Sequence, residues 1–368
     1  MLSLALACLS LAAPAAPVAP ASAASDAFAI QARTLHLGDG RTLENGVLLV
    51  EGGKIRGVST GADLPRSLRV IRHEGAITPG FVAAHDVASL GEEGSDRTRP
   101  LMPEMRVADA FDPESKELAF SARRGVTTVL LAPGVDNLVG GRTAVVKTHG
   151  GRVLSRESHL AISLSAAALR PDTPPTSPMG AVIELESRLE SNAPGFADVR
   201  AGRLPVMIFA SARHEVLRSL EFATRLKLRG AITGASLAGE VLEPLKASGL
   251  SVVFQPFAPG DGVREIRSVI ATAAAGVPFA FGLDATSAGP ESLRVSAAMC
   301  LREGASRKAL EQALFSNAAA VCGVSDRVGL LANGYDADFL LWSGDPLDLT
   351  SRLTAVFVDG ERLAEKQP

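Results

Sequence analysis

From Ala76 onward the chain alternates apolar runs of strand length with segments of helical period. Gly125 to Leu131, Leu204 to Ala210, Leu228 to Thr233, Leu250 to Gln255 and Val277 to Gly282 are continuous apolar runs. Thr143 to Lys147 and Leu160 to Leu164 are shorter ones. Between them, Val216, Leu217, Leu220, Ala223 and Leu226 fall on one helical face, and Val263, Ile266, Val269, Ile270 and Ala273 on another. Asp112 is placed to cap a helix that starts at Pro113, with Gly125 beyond its end. Strands apolar throughout need cover on both faces, and helices between parallel strands supply it. With Ala76 to Val82 the strand count reaches eight, which predicts an α/β fold of the distorted (β/α)8 TIM-barrel kind.

The two ends of the chain follow a different rule. Thr34 to Leu37, Val47 to Val50 and Ile55 to Val58 are short β-rich runs, and Asn45-Gly46 and Gly52-Gly53 before the latter two are hairpin signals. After Gly323 the β pattern returns in Asp338 to Trp342 and Ala355 to Val358, with a turn at Asp359-Gly360. Neither end is large enough to bury a core alone. The order predicts a small composite β-sandwich from residues 25–75 plus 328–368, with the barrel inserted at 76–327.

Composition narrows the function classes. A formal net charge of −3 with 46% hydrophobic residues describes an ordinary globular chain, without the basic excess that nucleic acid or an anionic membrane surface attracts. Aromatic residues are 4%, too few for stacking platforms. Residues 1–24 are set apart: Leu2 to Ala13 is apolar but too short to span a bilayer, and Ala21-Ser22-Ala23-Ala24 is an A-x-A-like cleavage region. The first basic residue is Arg33, so a positive n-region is missing; the reading is still a signal peptide and an exported (periplasmic or extracellular) protein. Cys8 lies in that leader, which leaves Cys300 and Cys322, two helical positions read as buried thiols or a disulfide.

The stretch Ala76-Ile-Thr-Pro-Gly-Phe-Val-Ala-Ala-His-Asp-Val87 resembles the first barrel strand of the amidohydrolase superfamily, where Pro-Gly-Phe precedes a metal-binding His-x-His pair. His85 matches the first histidine and Val87 stands at the second. Arg327-Val-Gly-Leu-Leu-Ala-Asn-Gly-Tyr-Asp-Ala-Asp-Phe-Leu-Leu-Trp342 looks like the family's return segment into its β-domain, and Asn317-Ala-Ala-Ala320 like its N-P-A turn. Phe281-Gly-Leu-Asp284-Ala-Thr-Ser287 resembles the family's strand-eight motif with its metal-binding, proton-handling aspartate. The match spans nearly the whole mature chain and is closest to imidazolonepropionase-like and dipeptidase-like members.

That resemblance implies a divalent metal, zinc in the first instance, which lowers the pKa of a bound water and polarises the scissile carbonyl. His85 and Asp284 are the metal candidates and Asp284 the catalytic one. Strand five ends on Phe209 and strand six offers Thr233 or Gly234 where the family has histidines. Lys147 is the only lysine ending a strand-like run, so it and nearby His149 are further candidates beside salt-bridge and polar-loop readings. Asp86 is a potential replacement ligand, and His214 a surface residue. Asn137-Leu-Val-Gly-Gly141 resembles a family glycine loop but lacks the setting of a phosphate loop. Catalytic zinc ordinarily uses three protein ligands. Two recognisable ones predict no tightly bound metal and weak or lost hydrolysis of non-peptide or dipeptide-like C–N bonds. The alternative is a silent barrel that binds a small molecule, forms a homo-oligomer, or pairs with an active homologue, with no nucleic-acid or membrane partner.

Overall fold

The computed structural model describes residues 27–61, 64–65, 67–257, 262–283 and 289–363. The leader at 1–24 and Asp284 with its motif through Ser287 lie outside the described residues.

The N-terminal part forms four strands, β1 (Phe28–His36), β2 (Thr42–Glu51), β3 (Lys54–Thr60) and β4 (Arg69–Pro79). The Gly52-Gly53 signal marks the β2–β3 turn, both glycines taking positive φ. Asn45-Gly46 does not make a turn. It lies inside β2, where Gly46 pairs with Ala32, and Asn45 takes φ 51 beside a shift in register. Asparagine tolerates the left-handed region, so it is used here for an irregularity, and the hairpin closes earlier through Leu37 N–H to Arg41 O.

The middle of the chain contributes β5 (Phe81–Asp86), β6 (Val126–Leu131), β7 (Val139–Arg142), β8 (Ala144–Lys147), β9 (Val153–Ser155), β10 (Leu160–Ser163), β11 (Val206–Phe209), β12 (Gly230–Thr233), β13 (Ser251–Phe254) and β14 (Phe279–Phe281). These fall in a six-stranded sheet, β14-β13-β12-β11-β10-β7, and a four-stranded one, β5-β6-β8-β9. Strands β10 to β14 are parallel, as continuous apolar runs between helices require. The third expected strand differs: β7 and β8 run antiparallel to β10 and β6 respectively. A hairpin into β9 and the short chain around Thr143 leave no room for a crossover helix, so the direction reverses. The helix expected from Pro113 begins later, at Lys116–Arg123, because Ser115 and not Asp112 receives the capping amide, from Leu118.

The chain ends in β15 (Phe339–Trp342), β16 (Leu353–Val358) and β17 (Glu361–Arg362). They join the N-terminal strands in one seven-stranded sheet, β17-β16-β15-β4-β1-β2-β3. β15 pairs with the last residues of β4, Ala76 to Pro79, so one strand of the opening segment is shared between the two ends of the chain. One face of the sheet encloses Ile30, Leu48, Ile55, Phe339 and Phe357. Trp342, Leu340, Val356 and Val358 turn the other way into the core built on the central strands.

Lys147 marks this junction. Its side chain is completely buried, bonded to Asp338 and 3.0 Å from Asp336. Asp336 also receives Lys54 at 2.5 Å and Arg152 at 2.7 Å, and Arg152 reaches Asp359 at 2.6 Å. Burial would raise the Asp336 carboxyl, but Lys147, Lys54 and Arg152 outweigh it and hold it at about 2. Burial pushes Asp338 up, against Lys147. Central strand, N-terminal hairpin and C-terminal strands thus meet in one buried ion cluster. Cys300 and Cys322 are both free and buried, and burial pushes the Cys300 thiol up to about 12 and that of Cys322 higher still.

Candidate functional site

The C-terminal ends of the parallel strands are where a fold of this type places its chemistry. His85, one residue from the end of β5, stands there, 4% exposed. Burial lowers its pKa to about 4, so the ring is neutral at physiological pH. Gln255, just after β13, approaches His85 Nδ1 through Nε2 at 3.5 Å and donates to Thr233 Oγ1 at 3.3 Å. The backbone of His85 accepts Leu283 N–H at 2.6 Å, which ties β5 to the chain leaving β14. Gly282 permits that approach: a Cβ there would lie 2.9 Å from His85 O and 3.1 Å from its Cβ.

Phe209 closes the same space from β11. Its ring lies over Gly234, where a Cβ would come within 2.6 Å of it and where φ is +79. His85 and Phe209, with Ala132, Pro133, Met207 and Thr233, line a cavity with about 10 Å³ of room for the centre of a water molecule. That is roughly the space one water needs.

Of the other sequence candidates, Asn137 and Gly140 of the glycine loop line this cavity, and Asp86, Lys147, His149 and His214 do not. Asp86 is buried, but both oxygens are used locally: Oδ1 accepts Ala88 N–H at 2.8 Å and Oδ2 accepts Ser89 Oγ–H at 2.5 Å. Those bonds turn the chain as β5 ends, and burial raises its pKa against them. Val87 begins the following turn. Lys147 ends a strand as expected, but its direction is reversed, so its ammonium points into the ion cluster of the terminal sheet. His149 is exposed in the turn after β8, and His214 is exposed at the start of helix Arg213–Leu226. Asn137 donates to Asp96 O and accepts from Arg170, strapping the segment after β5 across the start of β7. Gly141 there packs against Met105.

One buried histidine escaped the sequence reading. His159 is 2% exposed, and burial lowers its pKa to about 4, with a backbone bond to Val321 opposing and His85 assisting. It precedes β10, at the strand's N-terminal end, where burial serves stability more than chemistry. Its place in front of a short apolar run was the available signal.

The amidohydrolase family model matches residues 214–364, from helix Arg213–Leu226 through the last strands. Over these C-terminal residues the chain has the sequence of an amidohydrolase-family segment. Its fold extends that likeness over the chain. An amidohydrolase from Thermotoga maritima MSB8 superposes with a TM-score of 0.82 at 22% identity, covering 92% of this chain and 99% of that one. A Xaa-Pro dipeptidase with methionine bound in its active site gives 0.60 at 14%, covering 92% and 99%. Molinate hydrolase gives 0.59 at 17%, covering 92% and 95%. At these identities the solved structures speak to fold. No curated protein matches the chain.

The superfamily's chemistry typically uses a metal such as zinc, and a catalytic zinc wants about three protein ligands. The described cavity is lined by one imidazole, the Asn137 amide and the Ser163 and Thr233 hydroxyls, with the Gln255 amide beside them, and no group of three His, Cys, Asp or Glu side chains suited to a metal occurs among the described residues. This described donor set does not fit a zinc ion.

Proposed function

We propose that this amidohydrolase-superfamily protein carries a degenerate site, whose metal-dependent hydrolysis of non-peptide or dipeptide-like C–N bonds is weak or lost. One observation carries the reading: His85 is met by Gln255, whose amide is shared with Thr233, and these neutral groups do not activate water. Phe209 adds an apolar wall where a second donor would be needed. Two joins support reading the central sheets as one distorted barrel: Leu283 N–H to His85 O, and Thr143 N–H to His159 O at 2.9 Å. With β7 and β8 counted as one strand, eight strands surround the interior. The apolar leader with its small-residue end supports export, and a silent barrel could equally serve as a partner subunit of an active homologue.

The test is elemental analysis of the dialysed protein together with turnover of a dipeptide and N-acyl amide panel. Well under one equivalent of zinc and rates near background are expected. One equivalent of zinc, lost together with activity in His85→Ala, overturns the proposal.

A further inference from the structure

The terminal sheet carries a groove that the site described above does not use. The first half of β4, Arg69 to Gly75, pairs with β1 on one side only, because β15 meets β4 no earlier than Ala76. The sheet opens there into a groove of about 580 Å³, within the range of small-molecule sites, about 300–1,000 Å³. Its floor is apolar: Ile71 from β4, Leu341 from β15, Phe357 from β16 and Phe28 from β1. The rim is basic. Arg69 and Arg362 both line it and both are exposed, and among the described residues neither has a carboxylate partner. The opposing charge on the lining is Glu361, exposed on β17 beside Arg362. His73 also lines the groove, with Nε2 held by Trp342 O at 2.8 Å.

The geometry points to a binding site for a free alkyl carboxylate, a medium-chain acid whose hydrocarbon body lies on the Ile71–Leu341–Phe357 floor and whose carboxylate meets Arg69 and Arg362. An apolar floor alone would accept any hydrophobe. Two arginines without carboxylate partners among the described residues, against a single glutamate, select a monoanion, since guanidinium matches a carboxylate bidentately. A neutral ligand would leave that charge unanswered, and a zwitterion would bring its cation against the arginines.

Calorimetric titration of the full chain with monomeric sodium decanoate tests this. One saturable site is expected. Octanoate should bind roughly tenfold more weakly for its two missing methylenes. The Arg69→Ala/Arg362→Ala pair, both at exposed positions, should weaken decanoate at least tenfold, and Ala355→Trp should fill the groove and abolish binding. Several results overturn the proposal: no saturable heat, decanol binding as tightly as decanoate, or unchanged affinity in the double-arginine variant. So does a decanoate-insensitive dimer that Ala355→Trp dissociates, which gives the groove to a second copy. Absence of binding with residues 1–26 resistant to proteinase K gives it to the chain's own N-terminal segment.

Discussion

Replacing Lys147 by Met keeps most of the side chain's volume and removes its charge, which isolates the electrostatics of the junction cluster. Its three carboxylate partners are left in unequal positions, Asp359 keeping Arg152 at 2.6 Å. Asp336 retains Lys54 at 2.5 Å and Arg152 at 2.7 Å. Asp338 keeps one neutral donor, the backbone N–H of Asp359 at 2.9 Å, and its side chain is 3% exposed. Removing one partner of a buried pair costs about 3–5 kcal/mol. Protonating the stranded carboxyl sets a similar limit: from an ordinary value near 3.9 to pH 7 is about three units, or about 4 kcal/mol. Lys147→Met should therefore cost about 4 kcal/mol at pH 7. Because the folded variant holds a proton that its unfolded chain does not, the deficit should shrink by up to about 1.4 kcal/mol per unit as pH falls from 7 towards 4. Asp338→Asn in the same chain should recover most of it at neutral pH. Urea unfolding followed by the emission of Trp342 reads this directly, since it is the sole tryptophan, 1% exposed, on the strand that Asp338 precedes. A cost under about 1 kcal/mol, a pH-independent deficit, or no rescue by Asp338→Asn would refute the electrostatic account.

Three further outcomes follow from other parts of the structure. His85 and His159 are both held near 4, below the ordinary value of 6.5, so the stability they contribute is complete above about 6.5 and is lost as pH falls towards 4. Each ring should add up to about 1.4 kcal/mol per pH unit to the slope over that window, and His159→Gln should remove one such contribution in the same urea titration. Gly75→Ala drives a Cβ to 1.8 Å from Trp342 O and should cost about 2 kcal/mol or more, whereas Gly57→Ala, whose Cβ meets nothing nearer than 4.0 Å, should leave the thermal midpoint within a degree or two. Gln255→Ala takes away the amide shared between His85 and Thr233 and should raise the rate at which diethyl pyrocarbonate modifies His85, read by peptide mass spectrometry; an unchanged rate would mean that Phe209 alone shields the ring.

What could be read before the structure was whatever depends on periodicity, and what could not depends on direction. The parallel strands β10 to β14 were visible because each must be apolar throughout to lie between helices, and that is a property of single residues in a row. The run Thr143 to Lys147 has the same composition, yet nothing in it says which way the strand points. Reversal carries Lys147 from the end where a bridging lysine would serve a metal to the end where the terminal strands arrive. Only the partners explain it. Asp338, the aspartate of the return motif, and Arg327, its first residue, belong to or border this cluster, Arg327 at 3.9 Å from Asp336. The motif that made the family legible therefore holds the chain's two ends to the central strands, a task separate from any chemistry at the strand ends. Around His85 the logic is the converse. A histidine reads identically in sequence whether a metal, a base or a glutamine faces it, and the facing residue comes from a strand 170 positions away. Phe209 was legible as a replacement at the end of strand five, whereas Gln255 became interpretable once the strand ends converged, because it is an ordinary residue whose meaning lies in what stands opposite. The framework of this superfamily is written in local pattern and in one charged motif, whereas its activity is written in the few residues that meet across the strand ends.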